Sequence, residues 1–120
     1  MNIILSLEKI TKTFNNNEVL SNITFKVKDN QTIGMLGPNG CGKTTTMGII
    51  LGLIKPTHGK VFINNIELIA KRNSKILNYI NFASPYIDLP KKLTVLQNLR
   101  IYSKLYNVHD INARITEISE

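Results

Sequence analysis

Ile23, Phe25 and Val27 alternate with Thr24, Lys26 and Lys28, the pattern of a strand with one face buried. Residues 3–10 are largely apolar, with Leu5 and Leu7 in alternation, and predict an earlier strand. Between the two lies Phe14-Asn15-Asn16-Asn17-Glu18, rich in residues that tolerate the left-handed backbone region and therefore a turn. The chain is thus expected to start with antiparallel strands. Asp29-Asn30 is a second turn, leading into an apolar stretch from Thr32 to Leu36 that reads as a buried strand. The period then becomes helical, with Met47, Ile50, Leu51 and Ile54 on one face. This helix is expected to end at Lys55, because Pro56 cannot continue it. Gly59 opens a short strand from Lys60 to Ile63, closed by a turn at Asn64-Asn65. Residues 68–78 read as containing a short helix and Tyr79–Ala83 as a strand, followed by a loop bracketed by Ser84-Pro85 and Leu89-Pro90. Thr94-Val95-Leu96-Gln97 is a capping box that starts a helix, with Val95, Leu99, Tyr102 and Tyr106 on one face. Asp110 is placed to cap a last helix carrying Ile111, Ile115 and Ile118.

The chemistry concentrates between the expected strand 32–36 and the helix that follows it. Gly37-Pro38-Asn39-Gly40-Cys41-Gly42-Lys43-Thr44 has the spacing G-x-x-x-x-G-K-T, and a strand–loop–helix context makes that spacing a phosphate-binding loop. A polyphosphate needs many donors at close range, and backbone N–H groups supply them where no Cβ obstructs the approach. The loop feeds a helix N-terminus, whose unpaired N–H groups and dipole favour anions. Lys43 is expected to reach the β- and γ-phosphates, and the Thr44 hydroxyl to ligate Mg²⁺.

Composition narrows the class. At 120 residues the chain is one domain at most, with 42% hydrophobic residues in the range of a globular protein. No apolar run approaches the roughly 20 residues that span a bilayer. The stretch from Met1 to Leu7 lacks the basic start and small-residue cleavage site of a signal peptide. Cys41 is the single cysteine, so no internal disulfide forms, which suits a reducing compartment. The net charge of +7 raises nucleic acid or an anionic membrane as partners. The basic residues, however, are scattered singly among Asn and Ile, with no run longer than Lys91-Lys92.

Taken in order, Ile10-Thr11-Lys12-Thr13-Phe14, Val19-Leu20-Ser21-Asn22-Ile23-Thr24-Phe25, the loop 37–45 and Gly52-Leu53-Ile54-Lys55-Pro56-Thr57-His58-Gly59-Lys60-Val61 resemble the ATP-binding domain of ABC transporters. Leu93-Thr94-Val95-Leu96-Gln97-Asn98-Leu99 looks like that family's entry into its helical subdomain. The resemblance implies an α/β fold, a P-loop NTPase of the ABC ATPase type with an antiparallel β subdomain and a RecA-like core. On that template residues 1–92 form the β subdomain and P-loop core, and residues 93–120 begin the helical subdomain. It further implies that Phe14 stacks on adenine in place of the family's usual Tyr. Gly37, Pro38, Asn39, Gly40, Cys41, Gly42, Lys43 and Thr44 hold the phosphates, and Thr45 contacts the α-phosphate. The implied cofactors are ATP and Mg²⁺. The implied partners are a transmembrane permease subunit and a second ATP-binding domain, without nucleic acid, at the cytoplasmic face of the cell membrane. The details Ser84-Pro85-Tyr86, Leu89-Pro90 and Leu93-Thr94-Val95 look most like exporter-type ATPases.

The sequence departs from the family in two places. Where the family carries the Q-loop Gln, Ser84 and Pro85 align here, and Gln97 is better read as the helix-capping residue. The signature motif, the Walker B Asp with its catalytic Glu, and the switch His have no counterpart. Neither Asp88 nor Glu67 follows an apolar strand, and His109 falls between two helices. The expectation is an N-terminal half of the domain, truncated before the second half of the core and marginally stable alone. Other readings are a non-transporter ABC ATPase acting on nucleic acid or ribosomes, and a non-catalytic remnant. A nucleotide kinase or GTPase is disfavoured by the antiparallel start, by Phe14 and by the absence of N-K-x-D.

Overall fold

The computed structural model describes residues 2–68, 76, 78–84 and 88–119. The chain divides into two compact units, Met1–Asn81 and Phe82–Glu120.

The first unit is built on an antiparallel sheet. Strands β1 (Ile3–Phe14), β2 (Asn17–Lys28), β3 (His58–Ile63) and β4 (Ile66–Glu67) lie in the order β2-β1-β3-β4. Two Asn-Asn pairs make its hairpins. Asn15 and Asn16 have φ of 43° and 65°, and Phe14 pairs directly with Asn17. Asn64 and Asn65 have φ of 47° and 63°, and Ile63 pairs with Ile66. Two-residue loops with both φ positive match the right-handed twist of the strands, and Asn enters that region at low cost.

Neither long strand is regular, and the irregularity decides what is buried. Leu7 and Ile10 are three residues apart, so strict alternation would place them on opposite faces. Both are fully buried. The register slips between them, with Lys9 at φ 50°, so that one extra residue on β1 returns Ile10 to the inner face. A second slip on β2, at Asn22 (φ 52°), compensates. Threonine hydroxyls accept the N–H groups at both bulges: Lys9 N donates to Thr24 Oγ1 (2.9 Å) and Asn22 N to Thr11 Oγ1 (3.1 Å). The inner face is a single cluster of Leu7, Ile10, Leu20, Val61 and Ile63, closed by Ile76 and by Ile49 of helix α1 (Lys43–Ile50).

Helix α1 ends five residues before the expected Lys55. Leu51 is its C-cap and Gly52 follows at φ 71°. Gly52 N donates to Ile49 O (3.0 Å) and Leu53 N to Gly48 O (2.9 Å), the paired bonds of a Schellman cap. The glycine stops the helix before Pro56 is reached. The expected strands at 32–36 and 79–83 are also absent: residues 31–38 and 80–84 join no described ladder. Ile33, Met35 and Leu36 are exposed, Leu36 at 96%. A parallel strand needs hydrogen-bonding neighbours on its flanks, and none is supplied among the described residues. The expected helix within 68–78 lies largely outside the described residues, as do Pro85 and Tyr86.

The second unit contains α2 (Val95–Leu105) and α3 (Ile111–Ser119). The capping box forms as expected: Gln97 N donates to Thr94 Oγ1 (3.2 Å) and Thr94 N to Gln97 Oε1 (2.8 Å). Val95, Tyr102 and Tyr106 are exposed, however, and the buried residue of α2 is Asn98. Its Nδ2 donates to Thr94 O (3.1 Å) and lies 3.4 Å from Pro90 O and Leu93 O, tying the incoming chain to the first turn. Ile115 is the buried residue of α3. Asp110 Oδ1 is 3.5 Å from Ala113 N, a cap at the outer limit of hydrogen bonding. His109 is exposed in the connection between the helices.

Candidate phosphate-binding site

Helix α1 begins without a side-chain cap. Its N-cap is Gly42 at φ 96°, which has no side chain to offer, and no acidic residue stands in its first turn. The N–H groups of the first turn therefore keep their donor capacity, and the positive end of the helix dipole is not neutralised locally. Helix starts with these features favour anions in general.

Gly42 is at this point for a second reason. It is buried, and a Cβ there would stand 2.4 Å from Leu20 Cδ2 and 3.2 Å from Val19 O. The absence of a side chain lets the helix start seat directly against the β1–β2 hairpin. Thr46, also buried, fixes the same point from the helix side. Its N and its Oγ1 both donate to Gly42 O, at 2.8 and 2.9 Å. Ile49 then anchors the helix body in the core.

A cavity of about 190 Å³ opens at this junction, lined by Val19, Asn39, Gly40, Gly42, Lys43, Thr44 and Thr45. Six of the residues singled out from the sequence thus share one wall. The other loop residues lie beside it. The Lys43 ammonium donates to Gly37 O (2.6 Å) and Pro38 O (2.8 Å), with Cys41 Sγ at 3.7 Å. Cys41 N closes the loop on Pro38 O at 3.3 Å. The lysine thus spans its own loop and holds it curved.

Phe14 does not line the cavity. It sits at the end of β1, on the hairpin whose Val19 and Leu20 meet Gly42, and it is 42% exposed. The Lys12 Nζ stands 4.6 Å from its ring centroid. Val19, Leu20, Thr46 and Lys12 were not singled out as site residues. The available signal was Gly42-to-Thr46 spacing of one helical turn. For Val19 and Leu20 it was hairpin register, which sequence alone does not give.

The described residues do not offer the ligands that would hold a metal ion by themselves. No group of three His, Cys, Asp or Glu side chains able to hold a metal occurs among the described residues. The exposed Thr44 lines the cavity beside Asn39 and Thr45, which also carry side-chain oxygens, and Mg²⁺ ordinarily takes few protein ligands beside phosphates and water. Among the described residues, no carboxylate lines the cavity.

Comparison with known proteins agrees with this geometry. The ABC transporter family model matches residues 20–120. The carnitine transport ATP-binding protein OpuCA of Listeria monocytogenes is 34% identical over 103 residues, covering 85% of this chain and 26% of that protein. The lipopolysaccharide export system ATP-binding protein LptB of Haemophilus influenzae is 32% identical over 114 residues, covering 94% of this chain and 45% of that protein. The chain therefore spans less than half the length of either relative. Among solved structures, an ATP-binding subunit of an ABC transporter superposes with a TM-score of 0.80 at 26% identity, over 89% of this chain and 44% of that one. The dimeric ABC transporter cassette MJ0796 gives 0.71 at 28% identity, over 86% and 48%. With a family match across most of its length and a phosphate loop in the matching fold, the chain belongs to the ABC transporter ATP-binding family.

Proposed function

We propose that this chain binds MgATP through the α1 N-terminus and the 37–45 loop, as the nucleotide-binding part of an ABC transporter. The observation that carries the reading is the uncapped, acid-free start of α1, opening on a cavity lined by Lys43, Thr44 and Thr45. The backbone N–H groups and Lys43 take the phosphates, Thr44 holds Mg²⁺, Thr45 contacts the α-phosphate and Phe14 stacks on the base. Hydrolysis needs a group that orients the attacking water, and the described residues that line the cavity offer no carboxylate for that task. This chain is therefore assigned binding, and turnover is assigned to an assembly with a second ATP-binding domain and a transmembrane permease subunit at the cytoplasmic face of the membrane. No helix among the described residues is long and apolar enough to cross a membrane. Export is the direction suggested by the 84–95 segment alone, since the relatives above serve carnitine transport in one case and lipopolysaccharide export in the other.

The test is binding of fluorescent ATP to the purified chain with Mg²⁺, beside Lys43→Ala. Saturable binding that the substitution abolishes supports the proposal. Equal binding by both proteins, or binding by neither, rejects it.

A further inference from the structure

Lys12 is not part of the phosphate loop, yet its ammonium is held in two ways at once. It lies 4.6 Å from the centre of the Phe14 ring, inside the distance at which a cation is attracted to an aromatic face. It also donates to Lys55 O at 2.9 Å. The 55–57 segment is in turn stitched to β1 on either side of Lys12: Thr57 N donates to Thr11 O (2.8 Å) and Thr13 N to Thr57 Oγ1 (3.0 Å). The ammonium is thus fixed by the backbone it bonds, and it occupies one face of a ring that is otherwise 42% exposed.

We infer that Lys12 is a positioning residue for the adenine base, acting through Phe14. The inference rests on the reading that Phe14 stacks on the base. A cation behind the ring draws its π density toward that side. This lowers the repulsion between the negative faces of the ring and of an electron-rich purine stacked on the open side. It also restrains a side chain at a hairpin end, so less rotamer freedom is lost when the base arrives. The ligand part concerned is the base alone. The phosphates are held elsewhere, by donors that Lys12 does not touch.

Calorimetric titration of the full chain with two probes, ATP and inorganic tripolyphosphate, tests this. Lys12→Met is expected to weaken ATP about two- to five-fold, the range of an exposed cation–π contact, with tripolyphosphate affinity unchanged. Lys12→Gln keeps a donor for Lys55 O but no charge, and is expected to behave like Lys12→Met. Lys12→Arg keeps the cation and is expected to bind ATP as the parent does. In a Phe14→Leu background, removing the Lys12 charge is expected to have no further effect on ATP. The inference is overturned if the uncharged variants leave ATP affinity unchanged. It is overturned too if they tighten it, which would make the ammonium an obstruction on the stacking face. Equal weakening of both probes overturns it by showing that Lys12 only braces the 55–57 segment. If Phe14→Leu leaves ATP and tripolyphosphate affinities both unaltered, it is the stacking reading of Phe14 that fails.

Discussion

The contact between the phosphate loop and the hairpin can be isolated by comparing two glycines of the same loop. Gly40 and Gly42 both have positive φ, 82° and 96°, so alanine at either position carries the left-handed penalty of about 1–2 kcal/mol. Their surroundings differ. A Cβ on Gly40 meets nothing within 4 Å, whereas one on Gly42 falls 2.4 Å from Leu20 Cδ2. Leu20 is 4% exposed and belongs to the core cluster, so it cannot turn away without disturbing that cluster. Overpacking of that kind adds about 1–3 kcal/mol. Gly40→Ala is therefore expected to lose about 1–2 kcal/mol and Gly42→Ala about 2–5 kcal/mol. Urea unfolding reads both as shifts in midpoint at constant slope. Leu20→Ala creates a cavity when made alone, at a cost of about 2–5 kcal/mol, but it makes room for the new methyl group. The double variant Gly42→Ala/Leu20→Ala is expected to lose less than the sum of its parts. Equal losses for the two glycine variants, or strict additivity in the double variant, would refute the claim that the loop is seated on the hairpin through Gly42.

Two further outcomes follow from local geometry. Asn16→Val places a β-branched residue at φ 65° in the two-residue turn and is expected to destabilise the first unit by about 1–2 kcal/mol, read as a lower thermal midpoint. Thr94→Ala removes the acceptor of Gln97 N and is expected to cost α2 about 1 kcal/mol. The readout is faster amide exchange at Gln97, with the exchange of β1 and β2 unaltered.

What the sequence disclosed was chiefly local. The Asn-Asn turns and the Thr94–Gln97 capping box are each specified within a few residues, and each is found where its chemistry places it. The bulges at Lys9 and Asn22 were not legible, because the hydroxyls that accept their N–H groups belong to the opposite strand. The end of α1 was misjudged for an instructive reason. Ile54 continues the apolar period of the helix, but it reaches the inner side by chain reversal. Its N donates to Gly48 O at 3.0 Å, and its Cδ1 would stand 2.6 Å from a Cβ on Gly48. The period carried on through the cap, and Gly52 was the residue that marked the stop. The strands expected at 32–36 and 79–83 depend on neighbours rather than on their own composition, and apolar content alone did not make them pair.

That failure bears on how the phosphate site is held. The sequence argument took its context from strand, loop and helix in succession, yet here the segment before the loop has no ladder and exposes Ile33, Met35 and Leu36. The loop is shaped all the same, by three contacts that do not involve a preceding strand. Lys43 holds the carbonyls of Gly37 and Pro38, Thr46 holds that of Gly42, and Gly42 is seated on Leu20. A charged donor on a carbonyl contributes about 1.5–3 kcal/mol, enough to fix the curvature of so short a loop once its helix is anchored through Ile49. The antiparallel hairpin, rather than the expected parallel strand, is thus the surface on which the helix start rests. The same hairpin carries Lys12 and Phe14 at its end. One supporting element thus carries both the seat of the α1 start and the Phe14 ring, so that under the function proposed above residues far apart in the chain would meet a single ligand through the register of β1 and β2.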